Sequence, residues 1–207
     1  MLLLAPVRGL EEEARAAVAS LDAFGPEVVG AGVAAEELDG LVTYFVNAPA
    51  EPIVPLATAE LSEVRGLCRF GEVRVPNPAF LEAIAWGRDR GVAFAPLDPD
   101  EERSADLFRE NIGYWELVRR TLREHRLGRS PPTPSSADAY ALTWDRTVAG
   151  GRGSRRLAAA RDRHLAEGAR RLAQGRRRVA GLVDRERFER VRDLLTGTSG
   201  SSGVRRP

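Results

Sequence analysis

Apolar and polar positions along this chain follow two alternating rhythms, and together they predict an α/β fold. Residues 2–7 form a continuous apolar run closed by Arg8 and Gly9, the pattern of a strand buried on both faces. Residues 10–24 switch to helical spacing, with Leu10, Ala14, Ala17, Val18 and Leu21 on one face. Glu11, Glu12 and Glu13 occupy the first turn, where acids complement the positive end of the helix dipole. Gly25-Pro26 ends that helix, residues 28–33 predict a second strand, and residues 34–46 a second helix through Leu38, Leu41, Val42 and Phe45. Strand, helix, strand, helix predicts a largely parallel central sheet flanked by helices and joined by right-handed crossovers.

Three prolines make 48–55 an irregular connection, and 57–67 is weakly helical. Asn77-Pro78 is a helix start with proline at the first helical position. Phe80, Leu81, Ile84 and Ala85 point inward as far as Arg90, Gly91 stops the helix, and 92–98 predict another buried strand. Residues 100–127 make the longest helical stretch, with Phe108, Ile112, Trp115 and Leu122 on one stripe. A Pro/Ser-rich hinge at 128–136 leads to a short helix at 137–144, and AGGRG at 149–153 breaks the chain again. Residues 155–174 return to helical spacing before the last strand in RRRVAGLVD, 176–184. The expected layout is one α/β domain over 1–195, with a long helix in its C-terminal half. Residues 196–207 hold too little apolar surface to pack and predict a disordered tail.

Composition narrows the class. With 207 residues, 43% hydrophobic and 29% charged, the chain can bury a full core. A formal net charge of +1 argues against a dedicated nucleic-acid binder. All 31 Lys and Arg positions are arginine, which codon bias in a GC-rich genome explains; bidentate anion recognition is the functional alternative. The single cysteine, Cys68, excludes an internal disulfide framework. The opening MLLLAPVRG lacks a basic leader and is too short to span a bilayer, so a cytoplasmic protein with no membrane partner is expected.

Candidate chemistry is sparse. The carboxyl end of the last strand, where an α/β enzyme presents its reactive groups, holds the charged run Asp184, Arg185, Glu186 and Arg187. His164 shares a helical face with Glu167 near Asp162, yet two ligands do not make a metal site, and no cofactor or metal is expected. Gly30-Ala31-Gly32 lacks the third glycine of a dinucleotide fingerprint. Asp98, Asp100 and Asp162 form the acidic alternative: Asp98 ends a strand at the sheet edge, and all three would act on a substrate in an enzyme. Arg170, Arg171, Arg176, Arg177 and Arg178 read as a solvated face at a helix end.

The segment order resembles the TraB/Tiki-like family, related in fold to the ChaN and erythromycin-esterase groups. Residues 2–8, 10–24 and 28–33 are similar to its opening strand ending in Gly-x-x-His, its helix, and its strand ending in a glutamate. Residues 80–100 resemble its middle helix, strand and charged helix start. Arg161-Asp162-Arg163-His164-Leu165-Ala166 and residues 178–187 resemble its Arg-Asp-x-x-Met-Ala helix and closing Gly-x-x-His strand. In this placement Ala5 and Arg8 stand for the first glycine and histidine, Gly32 for the glutamate, and Asp184 and Arg187 for the second glycine and histidine. Members with those residues intact are proposed metal-dependent hydrolases or proteases. The resemblance therefore implies a catalytically degenerate member without a metal centre. Arg8, Gly32, Arg161 and Arg187 would line an anion pocket, and the role would be to bind a small anion or a protein partner. The alternatives are a hydrolase with an unrecognised site, and a dimerisation module presenting the aromatic stripe of 100–127.

Overall fold

The computed structural model describes residues 1–47, 58–129 and 131–197. The expected irregular connection at 48–55, and all of the expected tail beyond 197, lie outside them. The chain runs β1 (Leu2–Leu4), α1 (Glu11–Phe24), β2 (Val28–Ala31), α2 (Ala35–Asn47), α3 (Thr58–Leu67), α4 (Pro78–Arg90) and β3 (Ala93–Pro96). It continues through α5 (Glu101–Asn111), α6 (Tyr114–Arg129), α7 (Ala137–Val148), α8 (Arg152–Ala173), β4 (Val179–Leu182), a 3-10 turn at Arg185–Arg187 and α9 (Phe188–Thr196).

The four strands form one parallel sheet in the order β1-β4-β2-β3. The central strands β2 and β4 carry the sequences VVGA and VAGL and are buried throughout, as continuous apolar runs require in a doubly covered sheet. The two outer strands correct the expectation of full burial. β1 is half-buried along its length, and β3 is exposed at both ends, because each pairs on one side only. An apolar run in sequence does not distinguish an edge strand from a central one.

Strand residues alternate faces, and so does the core. Val29, Ala31, Ala180 and Leu182 meet Leu21 of α1, Leu38 and Leu41 of α2, and Leu81 and Ile84 of α4. On the opposite face Leu165 and Ala169 of α8 and Val191 of α9 pack with Leu97 and Val183. A third cluster, Leu67, Leu127, Tyr140 and Trp144 with Val7 and Leu10, gathers α3, α6 and α7 beside the end of β1. Tyr140 is fully buried there and stacks on Trp144, with ring centroids 5.9 Å apart.

Local signals set several boundaries. Asn77 caps α4, its side chain accepting from the Ala79 N–H at 3.2 Å, and Gly91 closes the helix in the left-handed conformation. The continuous helix expected over 100–127 is two helices. Buried Ile112 turns to extended backbone (φ −108°, ψ 104°) and Gly113 follows, so α6 starts in a new direction. The aromatic stripe is split with it. Leu107 and Ile112 enter the core, while Trp115 is 70% exposed and Leu122 59%. The long helix of the C-terminal half is α8, with 22 residues. Among the described residues no helix is long and apolar enough to cross a membrane.

Candidate functional site

Residues following all four strands come together at the carboxyl edge of the sheet. Backbone bonds carry the ladder past the strand ends: Val183 N–H to Leu4 C=O at 2.9 Å, Gly32 N–H to Leu182 C=O at 2.7 Å, Leu97 N–H to Ala31 C=O at 2.8 Å and Asp98 N–H to Val33 C=O at 3.2 Å. The chain leaves β2 for α2 on one face and leaves β4 for α9 on the other. Adjacent strands whose connections diverge in this way open a crevice, the usual ligand position in a doubly wound sheet. A cleft of about 440 Å3 lies there. Its rim combines Arg8 after β1, Gly32 after β2, Asp98 after β3, and Asp184, Glu186 and Arg187 after β4. Helices supply Glu37 from α2, Glu63 from α3, Asp145 from α7, Arg161 and Asp162 from α8, and Arg190 from α9.

One wall is an alternating chain of ions. Arg187 donates from Nε to Asp162 Oδ1 at 2.8 Å and from Nη2 to Asp98 Oδ1 at 3.1 Å. Arg161 bonds the other oxygen of Asp98, and Arg190 Nε donates to the other oxygen of Asp162 at 2.5 Å. Arg190 also lies 3.8 Å from Asp145. The order is Arg161, Asp98, Arg187, Asp162, Arg190, Asp145, three charges of each sign. The side chains of Asp98 and Asp162 are 2% exposed and that of Arg187 is 10% exposed. Burial alone would lower the Arg187 pKa, but the adjacent Asp98 and Asp162 carboxylates outweigh it and raise it. The guanidinium stays charged and its fork is occupied on both sides.

Arg8 is the contrast. It is open to solvent, and among the described residues no carboxylate lies at ion-pair distance from it. Although the side chain reaches solvent, the protein crowded around its guanidinium still works to lower its pKa, and the fields of Asp184, Glu63, Glu37 and Glu186 more than reverse that. Those acids feel the crowding in turn. Burial, with Asp184, Glu60 and Asp145 adding to it against the pull of Arg8, pushes the Glu63 carboxyl up to about 7. Burial and then Asp184 push Glu186 up to about 8. Glu37 is raised as well, again by burial first. Two carboxyls pushed up toward neutrality therefore share a cleft with an arginine that has no ion-pair partner among the described residues.

The sequence-derived candidates divide accordingly. Arg8, Gly32, Arg161, Arg187, Asp98 and Asp162 all border the cleft, so Arg8 and Arg187 do converge on one site. Arg187 is nevertheless not a free anion ligand, because Asp98 and Asp162 neutralise it. The same bonds, with those from Arg161 and Arg190, pair Asp98 and Asp162 with two arginines each. Asp100 is elsewhere: it caps α5, accepting from the Arg103 N–H at 2.8 Å. Gly32 packs rather than binds, since a Cβ would come within 3.1 Å of the Leu182 carbonyl oxygen. Among the described residues no three His, Cys, Asp or Glu side chains are grouped to hold a metal ion, so His164 and Glu167 do not belong to such a set.

Sequence reasoning missed Glu37, Glu63 and Glu186 as site residues. Glu186 had a signal, being charged and just past an apolar strand. Glu63 had none, since α3 reaches the cleft only through its packing on α6 and α7. No protein-family model matches the chain, and no curated protein matches its sequence.

Proposed function

We propose that the protein binds a small molecule at the carboxyl edge of its sheet and holds an anionic group of that molecule on Arg8. The observation that carries this reading is that, among the described residues, no carboxylate pairs with the Arg8 guanidinium, in a cleft where Arg187 is already held by Asp98 and Asp162. A guanidinium presents a planar fork that suits carboxylate or phosphate, and a free one beside a cavity is an available donor set. The buried centre of the ion chain, Asp98, Arg187 and Asp162, forms a rigid wall for it, since moving any of these three would leave an uncompensated buried charge.

The TraB/Tiki-like placement is compatible with the same site. Its three ligand positions fall on Arg8, Gly32 and Arg187, all of which border the cleft. An arginine stays protonated and cannot ligate a cation. In such a member the metal chemistry would be replaced by an ion-paired wall and one free arginine.

A thermal-shift series with small carboxylates and phosphates tests the binding reading, because a ligand selective for the native state raises the melting temperature by mass action. Stabilisation that disappears in Arg8→Gln is expected. Equal stabilisation of the wild type and Arg8→Gln would overturn it.

The near-neutral Glu63 carboxyl favours one second reading, proton-transfer catalysis. A general base works best when its pKa lies close to the working pH. Incubating a bound ligand with the protein in D2O should then introduce deuterium at a carbon-bound position, and Glu63→Gln should abolish the exchange. Exchange unaffected by that substitution would remove this reading.

A further inference from the structure

Arg8 alone does not describe the charge of the cleft. Arg161, Arg187 and Arg190 are neutralised within the ion chain, and Arg74, which also borders the cleft, is paired with Glu11 at 3.0 Å and Glu82 at 3.1 Å. Among the described residues, what remains is the Arg8 guanidinium, in the fields of Glu37, Glu63, Asp184 and Glu186. None of these four carboxyls lies at ion-pair distance from a cation among the described residues. They come from three separate elements: α2, α3 and the turn after β4.

A ligand bearing only an anion would satisfy Arg8 and leave the four carboxyls without a partner. A ligand bearing only a cation would suit the acids and oppose Arg8. We infer that the occupant carries both charges: an anionic group for Arg8 and an ammonium group a few bonds away for Glu63 and Glu186. Amino carboxylates and aminoalkyl phosphates belong to this class. The cleft, at about 440 Å3, has room for such a molecule and for a larger one that carries both groups. This inference rests on the assignment of Arg8 as the anion anchor.

The carboxyls are in a state that such a ligand would change. Glu63, facing Arg8, Asp184, Glu60 and Asp145, sits at about 7, and Glu186, facing Asp184, Asp145 and Glu63, sits at about 8. Both are substantially protonated in neutral buffer. An arriving ammonium favours the ionised form, so protons leave on binding.

Isothermal titration at neutral pH tests the pairing with four probes. β-Alanine and phosphoethanolamine carry both charges, ethyl phosphate only the anion, and putrescine only cations. Either or both of the doubly charged probes should bind, and tighter than ethyl phosphate and putrescine by about tenfold or more, the scale of a lost charge-assisted contact. The heat should differ between buffers of different ionisation enthalpy in the sense of proton release. Glu63→Gln/Glu186→Gln should reduce the preference for the ammonium-bearing probes. Which of the two binds better separates a carboxylate occupant from a phosphate one.

Ethyl phosphate binding as tightly as phosphoethanolamine, with both lost in Arg8→Gln, would overturn the inference and leave the Arg8 reading standing. Doubly charged probes binding the wild type and Arg8→Gln alike would overturn both. Failure of β-alanine and phosphoethanolamine to bind a wild type of normal melting temperature would also reject the inference.

Discussion

The Arg187 guanidinium donates to the Asp162 carboxylate at 2.8 Å, with both side chains at most 10% exposed. Asp162 comes from the middle of α8 and Arg187 from the turn after β4, so the bond ties the crossover helix to the edge of the sheet. Asp98, at the end of β3, holds the second nitrogen of the fork. Three chain segments are locked by one side chain, and that lock is the wall of the cleft.

Removing one member of this lock is expected to be severe. Arg187→Met leaves two buried carboxylates without their shared partner, a loss of about 3–5 kcal/mol in urea unfolding. Arg187→Lys should recover only part of it, because an ammonium cannot fork to two carboxylates in fixed directions. A loss below about 1 kcal/mol for Arg187→Met would mean that the pairs do not support the fold.

Glu63 and Glu186 give stability a definite pH slope. Their folded values of about 7 and about 8 lie above the ordinary glutamate value of 4.5, so the native state binds more protons than the unfolded chain. Their contribution is fully present below about pH 4.5 and is lost as pH rises through 7 for Glu63 and 8 for Glu186. Between pH 6 and pH 9 the unfolding free energy should fall by on the order of 4 kcal/mol, and Glu63→Gln/Glu186→Gln should flatten that slope. An unchanged slope in the double variant would place the titration elsewhere.

Glu116 of α6 supplies the cap that α8 lacks. Its Oε1 accepts from the Ser154 N–H at 3.3 Å and from the Ser154 hydroxyl at 3.1 Å, and the backbone bond is the main reason its pKa is lowered. Glu116→Ala should cost about 1 kcal/mol, as loss of an N-cap does. Gly153→Ala should cost about 1–3 kcal/mol by overpacking, since its Cβ would come 2.3 Å from the Asn111 carbonyl oxygen. Chemical denaturation measures both, and a neutral Gly153→Ala would contradict the close approach of α5 and α8.

Trp115 should be dispensable for the fold. It is 70% exposed and touches Tyr114 edge to face at 5.5 Å, outside the core. Trp115→Ser should change stability by less than about 0.5 kcal/mol at any protein concentration. A destabilisation that grows with dilution of the wild type would instead show a second copy covering this face, as the dimerisation alternative requires.

Legibility in the sequence followed physical locality. β2 and β4 are central strands of contiguous apolar residues, and the α4 start at Asn77-Pro78 is a local signal, so both could be read directly. The break at Ile112-Gly113 could not, because helical spacing continues through it and only burial of Ile112 redirects the chain. The same limit applies to the site. Arg8 and Arg187 follow apolar strands and were visible as edge residues. Whether each was free depended on Asp98 and Asp162, residues 89 and 25 positions away from Arg187 that only the fold brings together. Glu63 lies on a helix whose path to the cleft has no sequence mark.

Arginine side-chain NMR, following the Nε–Hε signals during titration with phosphoethanolamine, tests the central claim most directly. The account predicts that the Arg8 signal moves with saturation while the Arg187 signal stays in place, pinned by Asp162. Movement of Arg187 with Arg8 unchanged would contradict it, and so would titration to high concentration with neither signal moving.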